Sequence, residues 1–260
     1  MHKMLATVVI PIHLEEPSDL EKISLQQTFK ALKRYPIIFI AKKGLNTKWY
    51  QQFCIDKNFE FIVKHFKWDG FYEHGELMTN PDFYKPFLGY EYMLICHLDA
   101  FVFRDDLEQY CQSGYDFIGS HIYSPDWDDA HKGVTQLLGF TRPDYYANGG
   151  FSIRKIESFY RITSKFRMLI KLFHWIRKIQ KKSFFDDIFI ALYFPNLSSS
   201  FKIAPKEISQ KFGAAYEKWD EKKLPFTNQN CSTLPFGVHG WIQWNPEFWK
   251  VCIRELGYKV

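Results

Sequence analysis

The sequence predicts an α/β fold with a mostly parallel central sheet flanked by helices, followed by an irregular C-terminal elaboration. Three observations carry this. Short β-branched or aromatic runs alternate with longer segments of helical spacing through the first half of the chain, as in β-α-β units. The 260 residues suffice to bury one large core. Aromatic residues make up 19% of the chain, with 26 Phe, 15 Tyr and 8 Trp, far too many for a disordered or linker-rich protein.

The elements follow in order. Ala6 to Ile12 (ATVVIPI) is β-branched and reads as a buried first strand. Ser18 to Lys33 has helical spacing, with Leu20, Ile23, Leu25, Phe29 and Leu32 on one broad face, and Pro36 ends it. Ile37 to Ile40 is the second strand, Asn46 to Asn58 a helix, and Phe59 to Val63 a third strand. Asn80-Pro81 opens a short helix through Leu88, leading into an apolar run, Tyr92 to Cys96, of strand length. Tyr115 to Ser120 is another strand, Ser124 to Pro143 a loop, and Asn148 to Arg154 a glycine pair set against a strand. A long helix from about Ile156 to Lys182 and a loop at Pro195 to Ser200 precede a last third rich in aromatics, Pro and Gly. With no repeat, low-complexity tract or linker, one domain spans 1–260. Its two halves cover about 1–120 and about 121–260.

Composition narrows the function classes. No run reaches membrane-spanning length, and the N-terminal segment, broken by Pro11 and His13, is expected to be a strand, not a leader. Cys54, Cys96, Cys111, Cys231 and Cys252 are odd in number and scattered, which predicts buried thiols in a reducing, cytoplasmic compartment with no disulfide framework. The net charge of +5 is concentrated: ten Lys or Arg but only Glu157 among the acids lie between Arg154 and Lys182. No nucleic-acid module accompanies this patch, so nucleic acid is not an expected partner. The patch suits either a solvated helix face or peripheral contact with the inner face of the cytoplasmic membrane.

Four constellations can carry chemistry. Asp99 stands just beyond an apolar strand, where open α/β sheets bind ligands, although an Asp there also caps turns. Asn148-Gly149-Gly150 allows either close approach of backbone to a ligand or a tight turn. Asp186-Asp187 lies between bulky apolar residues, on a strand or at a helix start, and apolar walls would raise a carboxyl pKa toward that of a general base. His239 sits between glycines in Pro235-Phe236-Gly237-Val238-His239-Gly240-Trp241, fit to bind a metal or a phosphate.

Taken in order, Leu98-Asp99-Ala100-Phe101-Val102-Phe103-Arg104-Asp105, Tyr115-Asp116-Phe117-Ile118-Gly119, Asn148-Gly149-Gly150-Phe151-Ser152-Ile153-Arg154, Asp186-Asp187-Ile188-Phe189 and Pro235 to Trp241 resemble a bacterial family assigned to the GT-A-type glycosyltransferases. The match spans almost the whole chain. The resemblance implies a GT-A-like Rossmann-type fold that moves a sugar from a nucleotide-diphosphate donor, a UDP-sugar being favoured. The acceptor implied is a hydroxyl of a bacterial surface glycan such as lipopolysaccharide or capsule, free or lipid-linked.

On that reading Pro11, Ile12, His13, Lys42, Asp99, Ala100, Phe101, Asn148, Gly149, Gly150 and His239 contact the donor. Asp187, with Asp186 beside it, is the catalytic base of an inverting reaction; retention, or a binding protein without activity, is the alternative. Asp99 and His239 would hold Mn²⁺ or Mg²⁺. Asp99 takes the place of the first acid of an Asp-x-Asp motif, and Phe101 then stands where the second acid belongs. Lys42, Lys43, Arg154 or Lys211 could neutralise the diphosphate instead.

Overall fold

In the computed structural model, which describes residues 3–68, 70–123, 136–181, 184–215 and 224–260, β1 (Met4–Ile12) is buried on both faces over its last seven residues. It lies between β2 (Ile37–Lys42) and β4 (Tyr90–Cys96), parallel to both, with Val8 in register with Ile37 on one side and Leu94 on the other. Strands covered on both faces need continuous apolar runs, which is what ATVVIPI, IIFIA and YMLIC supply. Alternate residues of β1 feed opposite layers: Val9 packs with Ile38, Met93 and Phe189, whereas Val8 and Ile10 pack with Phe39, Leu94 and Phe151.

Between β1 and β2, α1 (Asp19–Ala31) starts at Ser18, whose hydroxyl accepts from the Glu21 N–H while the Glu21 carboxylate accepts from the Ser18 N–H. α2 (Lys48–Asp56) leads to β3 (Ile62–Phe66), parallel to β2. The strand expected at Phe59–Val63 thus begins three residues later. Phe59 stacks on Phe29, and Phe61 packs on Phe39, so this aromatic pair serves the helix layer before the ladder begins.

α3 (Gly70–Met78), not foreseen in the sequence, and α4 (Pro81–Tyr84), capped by the Asn80 side chain, complete the approach to β4. After β4 come β5 (Ala100–Val102), α5 (Leu107–Cys111), β6 (Phe117–Ile122) and β7 (Ala147–Lys155). Of the loop expected at Ser124–Pro143, residues 124–135 lie outside the described residues.

The basic helix is two helices: α6 (Ile156–Lys165) and α7 (Arg167–Ile179) meet at Phe166, whose φ of −104° and ψ of 21° break the helical path. That bend lets Phe159 and Ile162 of α6, and Ile170 and Phe173 of α7, reach the same core. Lys182 lies outside the described residues. α8 (Asp186–Leu197) contains Pro195 in its last turn, where a loop was expected.

The last third is more regular than its composition predicts. α9 (Lys206–Phe212), β8 (Gly213–Ala215), β9 (Gly237–His239) and α10 (Pro246–Glu255) extend the sheet to the order β3-β2-β1-β4-β7-β6-β8-β9-β5 among the described residues. β7 is antiparallel to β4 and β6, and β5 to β9; the other pairs are parallel. The elaboration also corrects the expectation of five free thiols. It brings Cys231 and Cys252 to a Cα separation of 5.6 Å, and they are joined as a disulfide, while Cys54, Cys96 and Cys111 are free and buried. Cysteine usage therefore no longer argues for a reducing compartment. No helix among the described residues is long and apolar enough to cross a membrane.

Candidate active site

The parallel strands β1 and β4 deliver Pro11, His13, His97 and Asp99 to one rim of the sheet, where their carboxyl ends open. Because β7 runs against β4, the start of β7 arrives at the same rim. Cys96 is in register with Phe151, and the His97 N–H donates to the Gly150 carbonyl at 2.9 Å. β9 pairs His239 with Ala100, and the first turn of α8 supplies Asp186 and Asp187. Together they line a cavity of about 570 Å³, walled by Trp68, Phe184 and Trp244 and large enough for a nucleotide-sized ligand.

His97, Asp99 and His239 each offer a ligand atom, all within 4.8 Å of one another. His239 Nε2 lies 3.3 Å from Asp99 Oδ1, yet Nε2 of both His97 and His239 is buried without a hydrogen-bond partner. Buried polar atoms are seldom left orphaned, so these nitrogens point to a missing ligand. Burial opposes ionisation of Asp99, but the charge of His239 outweighs it and holds the carboxyl well below its usual range. Burial likewise opposes charge on His239, and Asp99 overcomes it and raises that pKa. His97 is driven the other way, first by burial and then by His74 and His239, and stays neutral. An anionic carboxylate with an adjacent neutral imidazole fits a divalent cation, and two nitrogen donors suit Mn²⁺ better than Mg²⁺, which favours an all-oxygen shell.

This set changes the sequence reading of Asp99. The side chain that stands with Asp99 in the cluster is His97, two residues before it, and not Phe101. Phe101 is fully buried, packed edge-on against Trp241 and Tyr258. The spacing His-x-Asp is present in the sequence, but an Asp-x-Asp pattern places its second member, an acid, on the C-terminal side of Asp99. His74, whose Nε2 is also buried without a partner, was likewise missed. Burial lowers its pKa to about 4.

In the same cavity, Asp187 is 7% exposed and accepts from two backbone N–H groups, Gly149 at 3.2 Å and Ile188 at 2.8 Å. Burial, reinforced by Asp186, lifts its pKa to about 6 against the pull of those donors. Asp186 faces Arg154, with Oδ2 2.8 Å from Nη2. Arg154 is fully buried in β7 and also donates to the Tyr84 hydroxyl at 3.2 Å. It is therefore committed to holding Asp186, not to neutralising a diphosphate. Arg154→Met would leave Asp186 unpaired and is expected to cost about 3–5 kcal/mol of stability, to be read in urea unfolding; a loss within 1 kcal/mol would contradict the role of this pair.

Of the predicted contacts, Pro11, His13, Asp99, Asn148, Gly149, Gly150, His239, Asp186 and Asp187 line the cavity. Ile12, Ala100 and Phe101 are instead fully buried in the core, and Lys42, Lys43 and Lys211 do not line it. The glycine pair belongs to β7 itself and is there for closeness. A Cβ on Gly150 would collide with the His239 imidazole, and one on Gly149 would stand 3.1 Å from Arg154 Nη2 and 3.3 Å from Asp186 Oδ2. Gly150→Ala is thus expected to displace His239 and weaken Mn²⁺ binding at least tenfold with the fold retained. Titration followed by electron paramagnetic resonance reads this, and unchanged affinity would show that His239 is not a ligand.

The sequence profile of the family described as "Protein of unknown function (DUF5672)" matches residues 56–239. No curated protein sequence matches the chain. Among solved structures the chain is similar to the galactosyltransferase LgtC in complex with donor and acceptor sugar analogs: TM-score 0.58, 11% identity, covering 98% of this chain and 97% of that one. It is also similar to core-mannan synthase A (CmsA/Ktr4) from Aspergillus fumigatus in its Mn/GDP form, with TM-score 0.51 and 12% identity over 77% of this chain and 72% of that one. For the glycosyltransferase GlyE of Streptococcus pneumoniae TIGR4 the TM-score is 0.50 at 14% identity, covering 98% of this chain and 63% of that chain. These likenesses establish the GT-A-like fold.

Proposed function

The chain belongs to the family described as "Protein of unknown function (DUF5672)", and we propose that it is a glycosyltransferase, moving a sugar from a nucleotide-diphosphate donor to an acceptor hydroxyl. One observation carries the reading: the His97–Asp99–His239 cluster and the buried Asp186–Asp187 pair face one cavity at the carboxyl rim of a GT-A-like sheet. A UDP-sugar is the favoured donor and a hydroxyl of a bacterial surface glycan the favoured acceptor, both on the family resemblance.

His97, Asp99 and His239 would hold the divalent cation, which would supply positive charge for the leaving diphosphate. The chain's own residues do the rest. Trp68, Phe184 and Trp244 offer flat apolar surface to the base or sugar rings and keep water out. The Gly149 and Ile188 N–H groups fix the Asp187 carboxylate, and Arg154 fixes its neighbour Asp186. Asp187 then accepts the proton of the acceptor hydroxyl as that hydroxyl's oxygen bonds to the anomeric carbon and the bond from that carbon to the diphosphate oxygen breaks, giving an inverted product. The base is active when deprotonated, so with its pKa raised to about 6 the rate should fall as pH drops through 6. A flat profile between pH 5 and 7.5 would argue against Asp187 as base.

A second reading, retention of configuration, draws on the hydrogen bonds that hold both carboxylates in place, Asp187 on the Gly149 and Ile188 N–H groups and Asp186 on Arg154, which suit a pair that only positions substrate. The anomer of the product, read by NMR, separates the two. The whole reading is tested by a thermal-shift series of nucleotide sugars with and without Mn²⁺. A selective rise in melting temperature that needs Mn²⁺ is expected, since a ligand bound only by the native state stabilises it; no shift with any donor counts against it.

A further inference from the structure

The basic helix is left unexplained by the reaction. Only Ile170 and Phe173 of α7 are buried, while Met168, Leu172, Trp175 and Ile179 are 77%, 48%, 60% and 60% exposed. At 3.6 residues per turn these four fall within an arc of about 60° on the side facing away from the core. A stripe of large apolar side chains in water is unusual for a surface helix, whose outer face is normally polar.

The charges flanking the stripe are of one sign. α7 carries no acid, and Lys171 and Lys178 border the stripe on one side, with Lys181 just beyond the helix end. Lys171, Lys178 and Trp175 also line a cleft of about 360 Å³ between α7 and α3. Glu73 and Glu76 face that cleft from α3, with the Lys178 charge acting on Glu76, and Arg167 is paired with Asp82 at 2.9 Å; the cleft nevertheless sets four cations, Lys67, Arg167, Lys171 and Lys178, against those two acids, and Lys181 adds a further charge at the helix end. Apolar side chains at the centre with lysines at the margin match a bilayer interface bearing anionic headgroups, which receives apolar groups at the acyl boundary and cations at the phosphates.

We propose that α7 docks the protein on an anionic lipid surface, with Met168, Leu172, Trp175 and Ile179 inserted and Lys171, Lys178 and Lys181 at the headgroups. This docking is independent of the proposed reaction, because it involves none of the residues around His97, Asp99 and Asp187. Since α3 contributes Gly75 to the active-site cavity and Glu73 and Glu76 to the cleft beside the stripe, it would also set that cavity one helix away from the membrane.

Flotation of the full chain with vesicles of equimolar phosphatidylglycerol and phosphatidylcholine, compared with phosphatidylcholine alone, tests this without any sugar donor. The chain is expected to float with the anionic vesicles only, and less so at high salt. A Leu172→Ser/Trp175→Ser/Ile179→Ser variant and a Lys171→Gln/Lys178→Gln/Lys181→Gln variant should each weaken binding about tenfold or more with unchanged circular dichroism. Absence of flotation, equal flotation with neutral vesicles, or insensitivity to both variants overturns the proposal. So does a dimer in sedimentation velocity that the serine variant converts to monomer, because a second copy would then cover the stripe.

Discussion

Asp187→Asn is expected to lower the rate of sugar transfer by about 10²–10⁴, the usual contribution of a positioned general base. The substitution keeps the shape of the side chain, and an amide oxygen can still accept from the Gly149 or Ile188 N–H. Donor affinity, read by calorimetry, should therefore stay within a few-fold of the parent protein. The distinguishing result is a loss in kcat with Kd preserved. Asp186→Asn should behave differently, because Asp186 acts through Arg154. Its cost is expected to fall on stability as well as rate, as the buried guanidinium loses its carboxylate at 2.8 Å. If Asp187→Asn retained full turnover, the base would have to be found elsewhere in the cavity.

The second large effect belongs to the histidine–carboxylate cluster. His97→Gln and Asp99→Asn each remove one proposed ligand while roughly conserving side-chain size. Removing one preorganised electrostatic group from a reaction centre costs about 10²–10³ in rate, and either variant should lose at least that much. Mn²⁺ binding by the isolated protein should weaken in parallel, which paramagnetic resonance of the free ion reads without any substrate. Phe101→Leu supplies the contrast. Phe101 is enclosed by Phe103, Trp241 and Tyr258, so its truncation should cost stability and leave Mn²⁺ affinity unchanged. Such a pattern would fix the second ligand of the pair as His97.

Much of the strand order of the first half was legible because buried parallel strands demand uninterrupted apolar runs, and β1, β2 and β4 have them. β3 was misplaced because Phe59 and Phe61 look like strand residues but spend their side chains on the helix layer. α3 was missed because its sequence, GFYEHGELM, has two glycines; Gly75 is there because a Cβ would strike the Phe184 carbonyl. The short strands β8 and β9 have three residues each, too few for any period to show, and exist only because the sheet edge they extend is already in place.

The site followed the same division. Asp99, Asp187 and His239, which line one cavity, stand out in the sequence because each is a polar residue in an apolar or glycine-rich setting. Asp186 and Asp187 differ in their surroundings only in three dimensions, one turned to Arg154 and the other to backbone N–H groups. His97 and His74 were passed over because a single His beside a strand carries no pattern. Their significance lies in unpartnered nitrogens, which no sequence displays. The disulfide was hidden for a related reason, since Cys231 and Cys252 are brought together by the packing of α10.

The most direct test is calorimetric titration of nucleotide-diphosphate sugars into the protein with Mn²⁺ present, repeated with Asp99→Asn. One class of donor is predicted to bind at a single site in the parent protein, with affinity lost on removal of Mn²⁺ and in the variant. A folded parent protein that binds no nucleotide sugar, or binds one equally well without Mn²⁺ and without the Asp99 carboxylate, would contradict the account.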